Sequence, residues 1–191
     1  MPNKLFTEQA AALTNTPWDV YPRPQLQRES YVNLNGTWEL TVEGQQEAFS
    51  IQVPFCPESA LSGIGKHFTE GSRLFYRRKF CLPEGFNIGR VLLHIGAADQ
   101  IAEVWLNGKA VGRHEGGYTA FTFDITESLD AENLLEICCI DDLRDLSMPY
   151  GKQTLKRGGM WYTPVSGIWQ TVWLESVPEN YVNSVDIQVT L

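Results

Sequence analysis

Residues 157–175 read RGGMWYTPVSGIWQTVWLE, in which an aromatic loop runs directly into a strand-like segment. From Ile168 onward the residues alternate, so that Ile168, Val172 and Leu174 fall on one face and can enter a core. This period of two predicts a β-strand from Ile168 to Glu175. Because a single strand leaves its backbone groups unpaired, the rest of the chain is expected to supply neighbouring strands.

The loop half of this stretch carries large side chains between turn-forming residues. Met160, Trp161 and Tyr162 lie between Gly159 and Pro164, so the backbone is expected to turn repeatedly while flat side chains are held at its surface. Residues 152–165 are called the aromatic loop below. Such a loop suits the apolar face of a sugar ring, an interface with another protein, or simple packing of the loop on itself.

Length and charge bound the class of protein. The chain has 191 residues, enough for one domain with a core, and a formal net charge of -8 with a sequence pI near 4.9. A nucleic-acid partner is not expected, because binding to phosphates needs a basic surface. Positive residues cluster only at Arg73, Arg77, Arg78 and Lys79, and an alternating strand divides them between two faces, which favours a solvated sheet edge over a phosphate groove.

The chain shows no membrane, cofactor or metal signal. Its start lacks the continuous apolar core of a signal peptide, and nowhere do ~18 apolar residues run together, so no membrane association is expected and a cytoplasmic location is predicted. Four cysteines without a C-x-x-C pair predict free thiols. The three histidines share no ligand spacing with them, so neither a metal nor a cofactor is expected. These residues are Cys56, Cys81, Cys138, Cys139, His67, His94 and His114.

Two regions are predicted. Residues 1–30 form a proline-punctuated surface arm with a short helix near Glu8 to Leu13, and residues 31–191 form one domain of about ten short strands. The pair Asn107-Gly108 predicts a tight hairpin. This pattern indicates an all-β antiparallel sandwich, and a jelly roll is preferred, although periodicity alone does not exclude an immunoglobulin-like sandwich. The segment Val185 to Leu191 is predicted as the last strand, and the predicted core includes Trp38, Tyr76, Phe80, Trp105, Phe121, Phe123, Val172 and Ile187.

Arg78 is the exception within its strand. It shares the face of Leu74, Tyr76 and Phe80. It is predicted either to be a charge paired at the rim of the sandwich or to be a buried cation that addresses a carboxylate or a ligand.

Several short motifs, in order and at consistent spacing, resemble one family. Together they make the chain similar, from about Pro24 to Leu191, to the N-terminal sugar-binding domain of family 2 glycoside hydrolases, the β-galactosidase and β-glucuronidase group. The motifs are LNGTWEL at 34–40, VPFCPES at 53–59, FYRRKF at 75–80, AEVWLNG at 102–108, HEGGYTAFTFDIT at 114–126, GKQ at 151–153 and WYTPVSGIWQTVWLE at 161–175.

The resemblance implies a galactose-binding-domain-like jelly roll that precedes an immunoglobulin-like domain and a catalytic (β/α)₈ barrel. Such a barrel needs ~250 residues and carries the two catalytic carboxylates, so no catalytic residue is expected in this chain, and Glu58, Glu103 and Glu115 are not assigned that role. Partners implied by the resemblance are these missing domains, a carbohydrate substrate of the parent enzyme and a possible second copy in a homo-oligomer.

The resemblance also implies that the aromatic loop reaches the substrate pocket of the barrel. In well-known members an aspartate of this loop helps to hold the terminal sugar or a bound cation, and here the aligned position is Gly159. A direct sugar or sodium contact from this position is therefore not expected. The candidates for lining the pocket are Trp161, Tyr162, Arg157 and Lys152.

Three functions follow as hypotheses. The first is a noncatalytic domain of a glycoside hydrolase that cleaves terminal β-linked sugars and should be inactive alone. The second is a stand-alone carbohydrate-binding module, and the third is a scaffold for contacts between domains or subunits.

Overall fold

The protein is a β-sandwich whose strand pairs are all antiparallel. The structure is a computed structural model that describes residues 7–13, 16–156 and 158–190. Within these residues, one short α-helix, α1, precedes twelve strands. Their bounds are α1 Glu8–Ala11, β1 Val32–Asn33, β2 Gly36–Val42, β3 Ala48–Val53, β4 Arg73–Phe80, β5 Arg90–Ile95, β6 Ala98–Asp99, β7 Ile101–Leu106, β8 Lys109–Glu115, β9 Phe121–Asp124, β10 Asn133–Ile140, β11 Gly167–Ile168 and β12 Val172–Val177.

Two large sheets enclose the core. Six strands pair in the order β3-β2-β4-β10-β7-β8, four pair in the order β1-β12-β5-β9, and β11 with β6 forms a two-stranded connection. Each large sheet turns alternate residues inward, for example Trp38 and Leu40 of β2 against Leu93 of β5 and Leu174 of β12, all in one core cluster. The predicted jelly-roll sandwich is confirmed.

The turn between β7 and β8 has the backbone conformation that the sequence predicts. Asn107 and Gly108 both have positive φ, 53° and 75°, as a two-residue turn between β7 and β8 requires. Asn107 also joins this turn to β10, because its side chain accepts a hydrogen bond from the Leu134 amide at 2.8 Å. The predicted hairpin is confirmed.

Most predicted core residues are buried, with three exceptions. Trp105 and Phe123 are only partly buried. Ile187 is 75% exposed, because the predicted strand Val185 to Leu191 does not form in the described residues up to Thr190. Alternation of apolar residues identifies a face but not a partner strand, and this segment pairs with no neighbour in the described chain. Leu191 lies outside the described residues.

The strand predicted from Ile168 to Glu175 is broken in two. The backbone amides of Trp169 and Gln170 both donate to the carbonyl of Ala97 at 3.3 Å, so the chain steps away from β11 before β12 begins. The Trp169 indole Nε1 also donates to the Gly117 carbonyl at 2.8 Å. These contacts outside the sheet explain why one continuous strand was the wrong prediction.

The N-terminal arm packs on the outer face of the four-stranded sheet. The helix α1 is capped by the Thr7 hydroxyl, which confirms the short helix in a briefer form. Further along the arm, the rings of Tyr21 and Tyr31 lie 5.1 and 5.8 Å from the Trp173 ring of β12. The arm therefore covers part of a sheet face that would otherwise meet water.

The basic cluster is not at a sheet edge. Strand β4 lies between β2 and β10, so the predicted solvated edge is wrong. Arg73 pairs with Glu103, and Arg77 pairs with Glu136 at 2.9 Å on the outer face of the sheet. Arg78 points inward and donates to the Thr37 carbonyl. Burial lowers the pKa of its guanidinium, and its Nε has no hydrogen-bond partner in the part of the chain that the structure describes.

All four cysteines are unpaired, as predicted, and Cys138 and Cys139 are fully buried. Burial raises the pKa of the Cys138 thiol to about 11. No helix in the described part of the chain is both long and apolar enough to cross a membrane.

Candidate functional site

The aromatic loop projects its large side chains into solvent. Met160, Trp161 and Tyr162 are 61%, 39% and 64% exposed. Packing of the loop on itself is therefore not what the structure shows. An exposed apolar set of this kind on a folded protein is typical of a surface that contacts another molecule.

Two tight turns shape the loop. Lys152 has φ 59°, and its carbonyl accepts from the Tyr162 amide at 3.0 Å, which brings these two candidates to neighbouring backbone positions. A second turn is closed by the Trp161 amide, which donates to the Gly158 carbonyl at 3.2 Å. Lys152, Trp161 and Tyr162 are thus brought together by the loop. Arg157 lies outside the described residues.

Gln153 anchors the base of the loop to the sandwich. Its Nε2 donates to Asp99 Oδ2 at 3.3 Å and to the Tyr118 hydroxyl at 3.2 Å, and its Oε1 accepts from the Val165 amide at 2.6 Å. Gln153 itself is buried. One side chain therefore joins the two ends of the aromatic loop, at residues 153 and 165, to strand β6 and to the segment that follows β8.

A second anchor lies where the loop enters β11. The Ser166 hydroxyl and amide donate to the two carboxylate oxygens of Glu58 at 2.8 and 3.2 Å. His67 approaches the same carboxylate at 3.5 Å. Glu58 thus fixes the exit of the loop, which is a positioning role.

Two interacting carboxyl groups, the buried Asp99 and the partly buried Asp141, lie close to these anchors. Burial raises the pKa of Asp99 to about 6, although the hydrogen bond from Gln153 acts in the opposite direction. Burial, together with the charges of Asp99 and Glu58, raises the pKa of Asp141 to about 7. The cavity beside Asp141 and Ser166 measures only about 10 Å³, so it has room for about one water molecule and none for a sugar.

Asp99 is held against a glycine. Its Oδ1 has no hydrogen-bond partner among the described residues, and a Cβ atom built on Gly117 would lie 2.1 Å from it. Only a residue without a side chain fits at position 117 in this arrangement. The glycine therefore permits the close approach that puts Asp99 within reach of Gln153.

The carboxylates considered in the sequence have structural partners. Glu103 pairs with Arg73, and Glu115 pairs with Arg113. Among residues 7–13, 16–156 and 158–190, no group of three or more His, Cys, Asp or Glu is arranged to hold a metal ion.

Sequence reasoning missed the residues that position the loop. Asp99 and Gln100 interrupt the apolar residues of GAADQIAEV at 96–104, which is a signal for buried polar residues. In the sequence, Gln153 appears only within the motif GKQ at 151–153, which does not indicate an anchoring role. Its partners Asp99 and Tyr118 are 54 and 35 residues away. Contacts of this range are not encoded in local periodicity.

A jelly-roll sandwich is an architecture shared by lectin domains and other classes of β-protein, and here it carries an exposed aromatic loop. Residues 4–178 match the family described as Glycosyl hydrolases family 2, sugar binding domain. The chain belongs to this family.

Known relatives are longer enzymes. The β-galactosidase of Thermoanaerobacter pseudethanolicus is 27% identical over 167 residues, which are 81% of this chain and 22% of that protein. A β-glucuronidase of Paenibacillus borealis is 26% identical over 147 residues, covering 70% of this chain and 24% of that protein. The chain thus spans about a quarter or less of these two relatives.

Solved structures of similar proteins also match this chain over only part of their length. The crystal structure of the Bacteroides uniformis β-glucuronidase superposes with a TM-score of 0.57 and 27% identity, over 78% of this chain and 18% of that one. The fold similarity therefore concerns one part of a larger molecule.

Proposed function

We propose that this chain is a noncatalytic N-terminal domain of a glycoside hydrolase that cleaves terminal β-glycosides, and that its aromatic loop lies against the catalytic barrel and helps to line the substrate pocket. The observation that carries the proposal is the loop itself. It exposes Met160, Trp161 and Tyr162, yet Gln153 and Glu58 fix its two ends.

A loop that is anchored at its base and apolar at its tip is suited to a permanent neighbour. Covering the three exposed side chains would remove on the order of 200–300 Å² of largely apolar surface, which at ~25 cal/mol per Å² contributes several kcal/mol before ordering costs. The carboxyl groups of Asp99 and Asp141 are assigned a structural role beneath the loop rather than contact with substrate, because the space beside Asp141 is too small for a sugar. Hydrolysis is therefore assigned to residues of the parent enzyme beyond this chain.

The proposal is tested by comparing residues 1–191 with the complete gene product on aryl β-galactoside and aryl β-glucuronide substrates. The isolated chain should show no turnover. In the complete product, Trp161→Ala should lower kcat/KM at least tenfold, because a side chain at the pocket positions the sugar. The matched control is Ile88→Ala, which removes an exposed apolar side chain just before β5 and outside the aromatic loop. This substitution should change kcat/KM little.

Other outcomes separate the alternatives. Turnover by the isolated chain would contradict the noncatalytic assignment. Tight sugar binding by the isolated chain that Trp161→Ala abolishes would instead support a stand-alone carbohydrate-binding module. Full activity of the Trp161→Ala enzyme would leave a scaffold role and refute pocket lining.

A further inference from the structure

A cavity of about 380 Å³ lies between the N-terminal arm and the outer face of the four-stranded sheet. Its volume falls in the range of about 300–1,000 Å³ that is typical of small-ligand sites. None of the described residues of the aromatic loop lines it. Its polar lining comes from the arm, from β5 and β9 and from the link before β12, and includes Arg23, Gln25, His94, Thr122 and Gln170.

The charges around this cavity do not cancel. Arg23 and Arg28 both pair with Glu175, at 2.6 and 2.9 Å, and Glu175 is fully buried. Burial lowers the pKa of His94, so this imidazole is neutral near pH 7. Two cations therefore face one anion, and no acidic residue of the described chain is among those that line the cavity.

The excess positive charge is on the cavity side. Arg28 does not line the cavity: its Nη1 contacts both Glu175 oxygens and its Nη2 donates to the Val182 carbonyl at 2.6 Å. Arg23 lines the cavity and, within the described residues, engages only its Nη2, with Glu175 and Tyr21. Its Nε is buried without a hydrogen-bond partner among the described residues, so Nη1 is the guanidinium nitrogen that is left for an anion in the cavity.

The opposite wall offers an acceptor. His94 Nε2 lies 3.1 Å from Glu175 Oε1, and a carboxylate can only accept, so Nε2 carries the imidazole proton. His94 Nδ1 must then accept from the Thr122 hydroxyl, 2.7 Å away. The Thr122 oxygen, having donated its proton, presents lone pairs to the cavity and suits a ligand hydroxyl as donor.

The remaining lining is apolar. Ile95, Gly96, Ala120 and Phe121 contribute carbon surface between the Arg23 and Thr122 walls. The Trp173 ring is not an open platform, because His94 stacks on it at 4.0 Å and Arg23 lies over it at 5.7 Å. A compact ring with an apolar face fits this surface better than a small inorganic ion does.

We propose that this cavity binds a uronic acid ring, with its carboxylate against Arg23 and a ring hydroxyl donating to Thr122. The proposal is independent of the aromatic loop and of the barrel, because every residue that carries it lies in the arm and the four-stranded sheet. It is tested on the chain alone, so that failure here leaves the proposed function untouched.

The test is a titration of the ¹⁵N-labelled chain followed by amide chemical shifts. Glucuronic acid should bind with millimolar affinity and shift the amides of Gly96, Ala120 and Thr122. Glucose, which lacks the carboxylate, and acetate, which lacks the ring, should each bind at least tenfold more weakly. Added salt should weaken glucuronate binding, because the contact is charge-assisted.

Two substitutions locate the contacts. Arg23→Gln should reduce glucuronate affinity about tenfold or more and remove the preference over glucose. Since Arg23 also pairs with Glu175, Thr122→Val provides a second variant that leaves this ion pair in place. It should weaken glucuronate severalfold and leave acetate unchanged. Arg144→Gln, which changes an exposed arginine outside the cavity, should have no effect.

The outcomes that overturn the proposal are distinct. The site does not exist if glucuronate produces no shifts at tens of millimolar, or if both cavity variants bind it normally. Equal affinity for acetate and glucuronate would show anion binding without sugar recognition. Shifts confined to residues 158–163 would place the sugar on the aromatic loop instead.

Discussion

Gln153 is the residue on which the geometry of the aromatic loop depends most. It is buried and uses both ends of its amide, so removal leaves Asp99 without a hydrogen-bond partner among the described residues and releases Val165. We expect Gln153→Ala to lower the free energy of unfolding by about 1–3 kcal/mol, the usual cost of leaving buried polar groups unsatisfied. Urea denaturation measures it. The exposed Gln188→Ala is the control, and an equal effect of both would contradict the anchoring role.

The raised pKa of Asp141 makes the free energy of unfolding depend on pH near neutrality. Its pKa is raised from 3.8 to about 7, so the folded chain holds a proton that the unfolded chain releases, and stability falls as pH rises between these values. Asp141→Asn should therefore stabilise the chain more at pH 8 than at pH 5, by on the order of 1–2 kcal/mol. Thermal unfolding at the two pH values tests this, and a gain independent of pH would disprove it.

Glu175 has the opposite dependence. Burial alone would raise its pKa, but hydrogen bonds from His94 and Tyr21 outweigh burial and hold the pKa at about 2, below the usual 4.5. Its stabilising contribution is therefore complete above about pH 4.5 and is lost as pH falls towards 2. We expect Glu175→Gln to cost about 2–3 kcal/mol at pH 7, because two arginines lose their partner, and much less at pH 3. Denaturation curves at both pH values distinguish this from a cost that is constant.

At the scale of elements, the alternation of apolar and polar residues predicted a strand correctly where that strand has a partner strand on both sides in the sheet. Strands β2, β7 and β10 follow their sequence patterns because each has a partner on both sides. The same logic failed at residues 185–190, where Val185, Ile187 and Val189 alternate with polar residues but have no partner strand in the described chain. The alternation of β12 also failed to predict that Glu175 is buried. An outward position on β12 indicates exposure, whereas Arg23 and Arg28 of the arm, about 150 residues earlier in sequence, contact its carboxylate and help to bury it.

This difference between elements is measurable by hydrogen exchange. The amides of β12 are paired with β5 and should exchange slowly, whereas those of residues 183–190 should exchange within seconds, as expected for backbone without partners. Protection of residues 183–190 that depends on protein concentration would instead indicate that this segment pairs with a second copy.

At the scale of the whole molecule, the sandwich presents one anchored apolar loop on an otherwise acidic chain of net charge -8. Without a covering partner, the exposed side chains of the loop favour weak self-association, which the net charge opposes. Sedimentation equilibrium should show a weak tendency to dimerise that Trp161→Ala reduces. Association unchanged by this substitution would place the contact elsewhere.

The central claim is that the aromatic loop is covered by the catalytic barrel of the parent enzyme. The most direct measurement is hydrogen exchange of residues 158–163, compared between the isolated chain and the complete gene product. We predict at least tenfold slower exchange of these amides in the complete product, with the β7–β8 hairpin turn at Asn107 and Gly108 unchanged as an internal control. Equal exchange of the loop in the two proteins would contradict the account.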